Sequence, residues 1–155
     1  MTSVTRLGQG AYWQDLAIGQ RFDTFSRTIT ETDLVNFISC TGMLEAIFID
    51  ADHPDSAISG RVVPGALTYT LIEGMILQTM IQGTGLAMLE LNQKIHAPVF
   101  VGDSIRADIE VTGVRPTSKH NRAVVDSSIS IYNQHQVLVM HYVARRLLAG
   151  KPKAV

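Results

Sequence analysis

A chain of 155 residues in which 46% of side chains are apolar can bury a sizeable core and fits one domain spanning residues 1–155. A net charge of −1 without a basic run excludes the usual nucleic-acid binders, which need clustered Lys and Arg. The single cysteine, Cys40, cannot form an internal disulfide, which fits a reducing compartment. No stretch reaches the ~18 consecutive apolar residues of a membrane span, and the opening MTSVTRLGQGAYWQD has no apolar run that would read as a signal peptide. The expectation is a soluble, cytoplasmic protein.

In chain order, RFDTFSRTIT alternates well enough to predict a first strand. In TETD, Thr30 is a good N-cap and Asp33 sits where an acid answers both the cap and the helix dipole. Leu34, Phe37 and Ile38 follow at helical spacing, so Glu31 to Thr41 is predicted as a short helix ended by Gly42. After the polar segment DADHPDSAISG, the stretch from Gly65 to Gln82 carries Leu67, Leu71, Ile72, Met75, Ile76 and Met80 almost all round, the pattern of a buried helix. Pro64 suits its start, and Gly83 and Gly85 its end. Four strands are predicted to follow: LAMLELNQKIHAPV, SIRADIEVTGV, RAVVDSSISIYN and VLVMHYVARRLL, separated by polar turns. An antiparallel sheet wrapped round one apolar helix is the economical α+β packing of this order, and that arrangement is the hotdog fold.

The segments AYWQDLAIGQRF, SRTITETDLVNFISCTG, GRVVPGALT and KIHAPVFVGDSI, in that order, resemble the MaoC-like dehydratase family of hotdog proteins, which contains the (R)-specific enoyl-CoA hydratases. The resemblance runs from about Tyr12 to Asp108. Its hydratase motif is a glycine, an aspartate, any residue, asparagine, proline, an aliphatic residue, a histidine, any residue and an aspartate. Laid on this chain, Gly42 and Asp50 match. Met43 stands at the catalytic aspartate, Phe48 at the catalytic histidine, Glu45 at the asparagine and Ala46 at the proline. Neither Met43 nor Phe48 can move a proton. Losing both members of such a pair costs at least roughly 10⁴ in rate, more than about 5 kcal/mol, unless another group replaces them.

Candidate replacements are few. The resemblance implies that Gly65, opening the buried helix, presents its N–H to a thioester carbonyl with help from the helix dipole, with Ala66 beside it in substrate binding. Glu45 lies inside the apolar run MLEAIF, where burial would make it a usable base; the alternatives are a solvent-facing loop residue or a partner for Arg61. Glu73 follows Gly65 by just over two turns and is expected to point roughly the same way, at the spacing of the carboxylate in hotdog thioesterases of the hydroxybenzoyl-CoA type. Its alternative is a buried, hydrogen-bonded acid at a subunit contact. Met43, Phe48 and Asp50 are expected to line the substrate pocket, with Asp50 also holding local backbone. The acids and histidine of DADHPD read as an exposed turn rather than a metal site. His96 reads as strand-end structure, and Cys40 and Tyr69 as core.

The resemblance therefore implies an acyl-CoA thioester as partner, bound in a tunnel of a homodimer or an assembly of dimers. No cofactor is expected, CoA entering only as part of the substrate. Three activities compete: reversible hydration of a 2-enoyl thioester with Glu45 carrying the proton, thioester hydrolysis using Glu73, and acyl-CoA binding without catalysis.

Overall fold

The structure is a computed structural model that describes residues 6–54 and 57–152. After a 3-10 turn at Trp13–Asp15 come two short strands, β1 (Arg21–Asp23) and β2 (Arg27–Thr28), then helix α1 (Glu31–Thr41) and a single helical turn, α2 (Ala46–Ile49). The long helix α3 (Gly65–Gln78) precedes four strands: β3 (Gly85–Ile95), β4 (Ser104–Pro116), β5 (Arg122–Tyr132) and β6 (Leu138–Ala149). All pairs are antiparallel, in the order β1-β4-β5-β6-β3, with β2 also on β4.

Local chemistry accounts for most element boundaries. Thr30 accepts from the Asp33 amide while the Asp33 carboxylate accepts from the Thr30 amide at 2.8 Å, a reciprocal cap that starts α1. Gly42, at φ +73°, ends it in the left-handed region that glycine enters without strain. The predicted first strand is split. At Thr24 the side-chain hydroxyl, instead of a main-chain carbonyl, accepts from the Ala107 amide at 2.9 Å, and Phe25 beyond it is 65% exposed. The long helix is also shorter than the sequence pattern suggests, ending at Gln78 rather than Gln82. There Thr79 turns its hydroxyl back onto the Met75 carbonyl at 2.6 Å, and the Ile81 amide reaches five residues back to Ile76.

The core is the inner face of the sheet closed over α3. Ala107, Ile109 and Val111 of β4, Val125, Ile129 and Ile131 of β5, and Met140, Tyr142 and Ala144 of β6 alternate inward. They meet Leu67, Ile72, Met75 and Ile76 of α3, with Leu34 and Ile38 of α1 in the same cluster. The exception is β3, exposed along its whole length. It pairs with β6 on one side, and among the described residues no strand covers the other. Leu86, Met88, Leu89, Leu91 and Ile95 on this edge are each at least 40% exposed.

Candidate active site

A cavity of about 360 Å³ opens where the first turn of α3 meets the end of β3. Its wall is mostly apolar: Ile47 and Phe48 from α2, Val62 and Val63 before α3, Ile95 from β3, and Val139 and Met140 from β6. Gly65, Thr68 and His96 interrupt it. That size lies within the roughly 300–1,000 Å³ of small-molecule pockets, and an apolar wall with a few convergent polar groups is their usual composition.

Gly65 is a glycine because α3 begins against β3. A Cβ built there would meet Ile95 Cδ1 at 2.5 Å. The amides of Gly65 and Ala66 open the helix and have no carbonyl within it to reach, so they carry the positive end of the helix dipole. Ala66 does not line the cavity.

Thr68 is 1% exposed, and its hydroxyl has no partner among the described residues. The other threonines of this helix behave differently: Thr70 and Thr79 donate back to the carbonyls of Ala66 and Met75 at 2.9 and 2.6 Å. For Thr68 the equivalent acceptor is the Pro64 carbonyl, which already takes the amides of Leu67 and Thr68 at 3.0 and 3.3 Å. The hydroxyl is buried without a partner among the described residues, at a cost of about 1–3 kcal/mol.

The remaining residues singled out by sequence fall into three places. Phe48 sits in the cavity wall, held by an Arg61 guanidinium that donates to its carbonyl and to Glu31, the latter at 2.7 Å from Nη2. That hydrogen bond keeps the Glu31 carboxyl below its ordinary value. The partner of Arg61 is thus Glu31, not Glu45. Met43 is 41% exposed and outside the cavity wall. Glu45 is exposed as well; as the N-cap of α2 it accepts from the Ala46 amide at 2.9 Å. Asp50 is exposed and accepts from the Asp52 amide at 3.0 Å, which orders the local turn. Asp55 lies outside the described residues, and among those described no cluster of His, Cys, Asp or Glu could hold a metal.

Glu73 does not point the way Gly65 does. Eight residues at 3.6 per turn leave the two about 80° apart around the helix. Glu73 faces a second cavity of about 340 Å³, under the start of β3, with Tyr69, Leu86, Met88 and Arg146. It is 8% exposed, ion-paired with Arg146 of β6, and accepts from the Tyr142 hydroxyl at 2.7 Å. Tyr69 packs edge-on against Tyr142 with ring centroids 5.2 Å apart. Burial, and after it the Glu73 charge, pushes both tyrosines above their ordinary value, so both remain neutral donors.

His96 is the residue that sequence reasoning passed over. Its amide donates to the Val139 carbonyl at 2.9 Å, which fixes the end of β3 beside β6 and brings the residue to the cavity. KIHAPV gave no sign of this, because the residue reaches the cavity through the pairing of β3 with β6, strands far apart in the chain.

The comparisons agree with this geometry. A family model described as MaoC like domain matches residues 14–131. The (R)-specific enoyl-CoA hydratase of Rhodospirillum rubrum is 28% identical over 109 residues, covering 70% of this chain and 74% of that protein. Among solved structures, a MaoC-like dehydratase from Rhodospirillum rubrum superposes with a TM-score of 0.82 at 19% identity, over 92% of this chain and 99% of that one. A Mycobacterium tuberculosis protein described as having a double hotdog fold superposes at 0.85 with 21% identity, over 97% of this chain and 47% of that one. An antiparallel sheet closed over one buried helix, with a family match across most of its length, makes this chain a hotdog protein of the MaoC-like domain family.

Proposed function

We propose that this protein is an acyl-CoA hydratase of the MaoC-like type, adding water reversibly to a 2-enoyl thioester. The observation that carries the reading is the cavity at the start of α3. It joins the free amide end of the helix at Gly65 to an apolar wall that suits an acyl chain. The thioester carbonyl would lie against the Gly65 amide, which holds the negative charge that grows on its oxygen as water attacks C3. Family membership and the hydratase relative support the same chemistry.

The exposed edge of β3 supports a homodimer, in which a second copy covers the unpaired strand and its apolar side chains. Cys40, expected in the core, is exposed on α1, and a lone cysteine fits a cytoplasmic location. No helix among the described residues is long and apolar enough to cross a membrane.

A second reading has a specific observation in its favour: among the described residues no carboxylate lines this cavity. A protein that binds acyl-CoA without transforming it would look the same. Hydrolysis through Glu73 has less support, because that carboxylate is held by Arg146 and Tyr142 in another cavity. Incubating the purified protein with crotonyl-CoA separates the readings. Accumulation of 3-hydroxybutyryl-CoA is the expected outcome. Binding without conversion selects the second reading, and release of free CoA selects hydrolysis.

A further inference from the structure

We infer that His96 is the proton carrier of this site. The inference rests on the hydratase reading above and names the group that replaces the missing aspartate and histidine. The positions of that pair are occupied by Met43, which is outside the cavity, and Phe48, which is in its wall. Glu45 is turned to solvent as a cap, and Glu73 is committed to Arg146. Among the described residues that line this cavity, His96 is the one whose side chain can both take and return a proton. Gly65, which opens α3, lines the same cavity as His96.

The step balances with one base. His96 takes a proton from water as the water oxygen bonds to C3. The C2–C3 π electrons move toward the thioester, giving an enolate whose oxygen faces the Gly65 amide. The imidazolium then returns the same proton to C2. Water has been added across the double bond and His96 is neutral again. Dehydration is the reverse.

The test uses crotonyl-CoA for turnover and butyryl-CoA, which is already saturated, for binding. Replacing His96 by Gln should lower kcat by about 10²–10⁴-fold, the usual effect of a positioned general base. Binding of butyryl-CoA should be unchanged. Free imidazole should restore part of the turnover of His96→Ala, which loss of a structural residue would not allow. Since His96 is exposed, its replacement should leave the melting temperature in place. Wild-type turnover in His96→Gln overturns the inference and leaves the hydratase reading standing. Loss of turnover in Glu45→Gln with His96→Gln intact also overturns it. Failure of the wild type to hydrate crotonyl-CoA while binding butyryl-CoA defeats both readings in favour of a binder.

Discussion

Replacing Glu73 by Leu should cost stability and leave thioester chemistry alone. The Glu73 and Arg146 side chains are 10% and 8% exposed, and the same carboxylate oxygen serves Arg146 and the Tyr142 hydroxyl. The single substitution strands a guanidinium in the core, at a cost of about 3–5 kcal/mol. That is a large part of the roughly 5–15 kcal/mol by which a domain is folded. Removing both charges with Glu73→Leu and Arg146→Met should recover most of the loss, since an apolar replacement of a buried pair is often neutral or stabilising. The cycle of single and double variants should therefore show a coupling of several kcal/mol. Urea unfolding measures it, with every variant at the same protein concentration because any subunit association would also contribute to stability. The reasoning is refuted if Glu73→Leu unfolds within about 0.5 kcal/mol of wild type, the range of ordinary surface changes. It is equally refuted if the double variant is no more stable than the single one.

Other expectations follow from the same structure. Gly65→Ala should weaken butyryl-CoA binding about tenfold, or about 1.4 kcal/mol; the new methyl turns Ile95 aside into the cavity, and calorimetry reads the affinity. Asp126 resists a burial that would raise its pKa, because hydrogen bonds from Arg115 and Arg145 hold it below its ordinary 3.8. Its contribution should be present above that pH and lost as the pH falls below it, so acid unfolding in Asp126→Asn should start from a lower plateau. Tyr142 is displaced upward by burial and then by Glu73, so the native state keeps a proton that the unfolded chain loses near 10.0. Stability should be complete below that pH and decline above it, and the decline should be smaller in Tyr142→Phe. In the proposed homodimer, Leu91→Lys on the open edge of β3 should shift dimer to monomer in sedimentation, whereas an unchanged mass would remove β3 from the interface.

Most of the fold was legible because its signals are local. The Thr30–Asp33 cap, the left-handed stop at Gly42, the all-round apolar pattern of α3 and the alternation in β4 and β5 each lie within a few residues. The misreadings arose where side chains competed with the backbone. Thr24 interrupted a predicted strand, and Thr79 ended α3 early. Glu45 was open between a buried base and a solvent-facing residue, and a four-residue helix that begins just after it uses it as an exterior cap. The position of Gly65 was legible as a helix start. That Thr68 and His96 share its cavity was not, because β3 reaches α3 only through the long pairing of β3 with β6.

The central claim is that a thioester carbonyl is held at the start of α3, and isotope-edited infrared spectroscopy of bound crotonyl-CoA tests it most directly. If the Gly65 amide and the helix dipole polarise that carbonyl, its stretching band should move to lower frequency on binding, and the movement should shrink in Gly65→Ala. A bound thioester whose carbonyl band stays at its position in water would contradict the account.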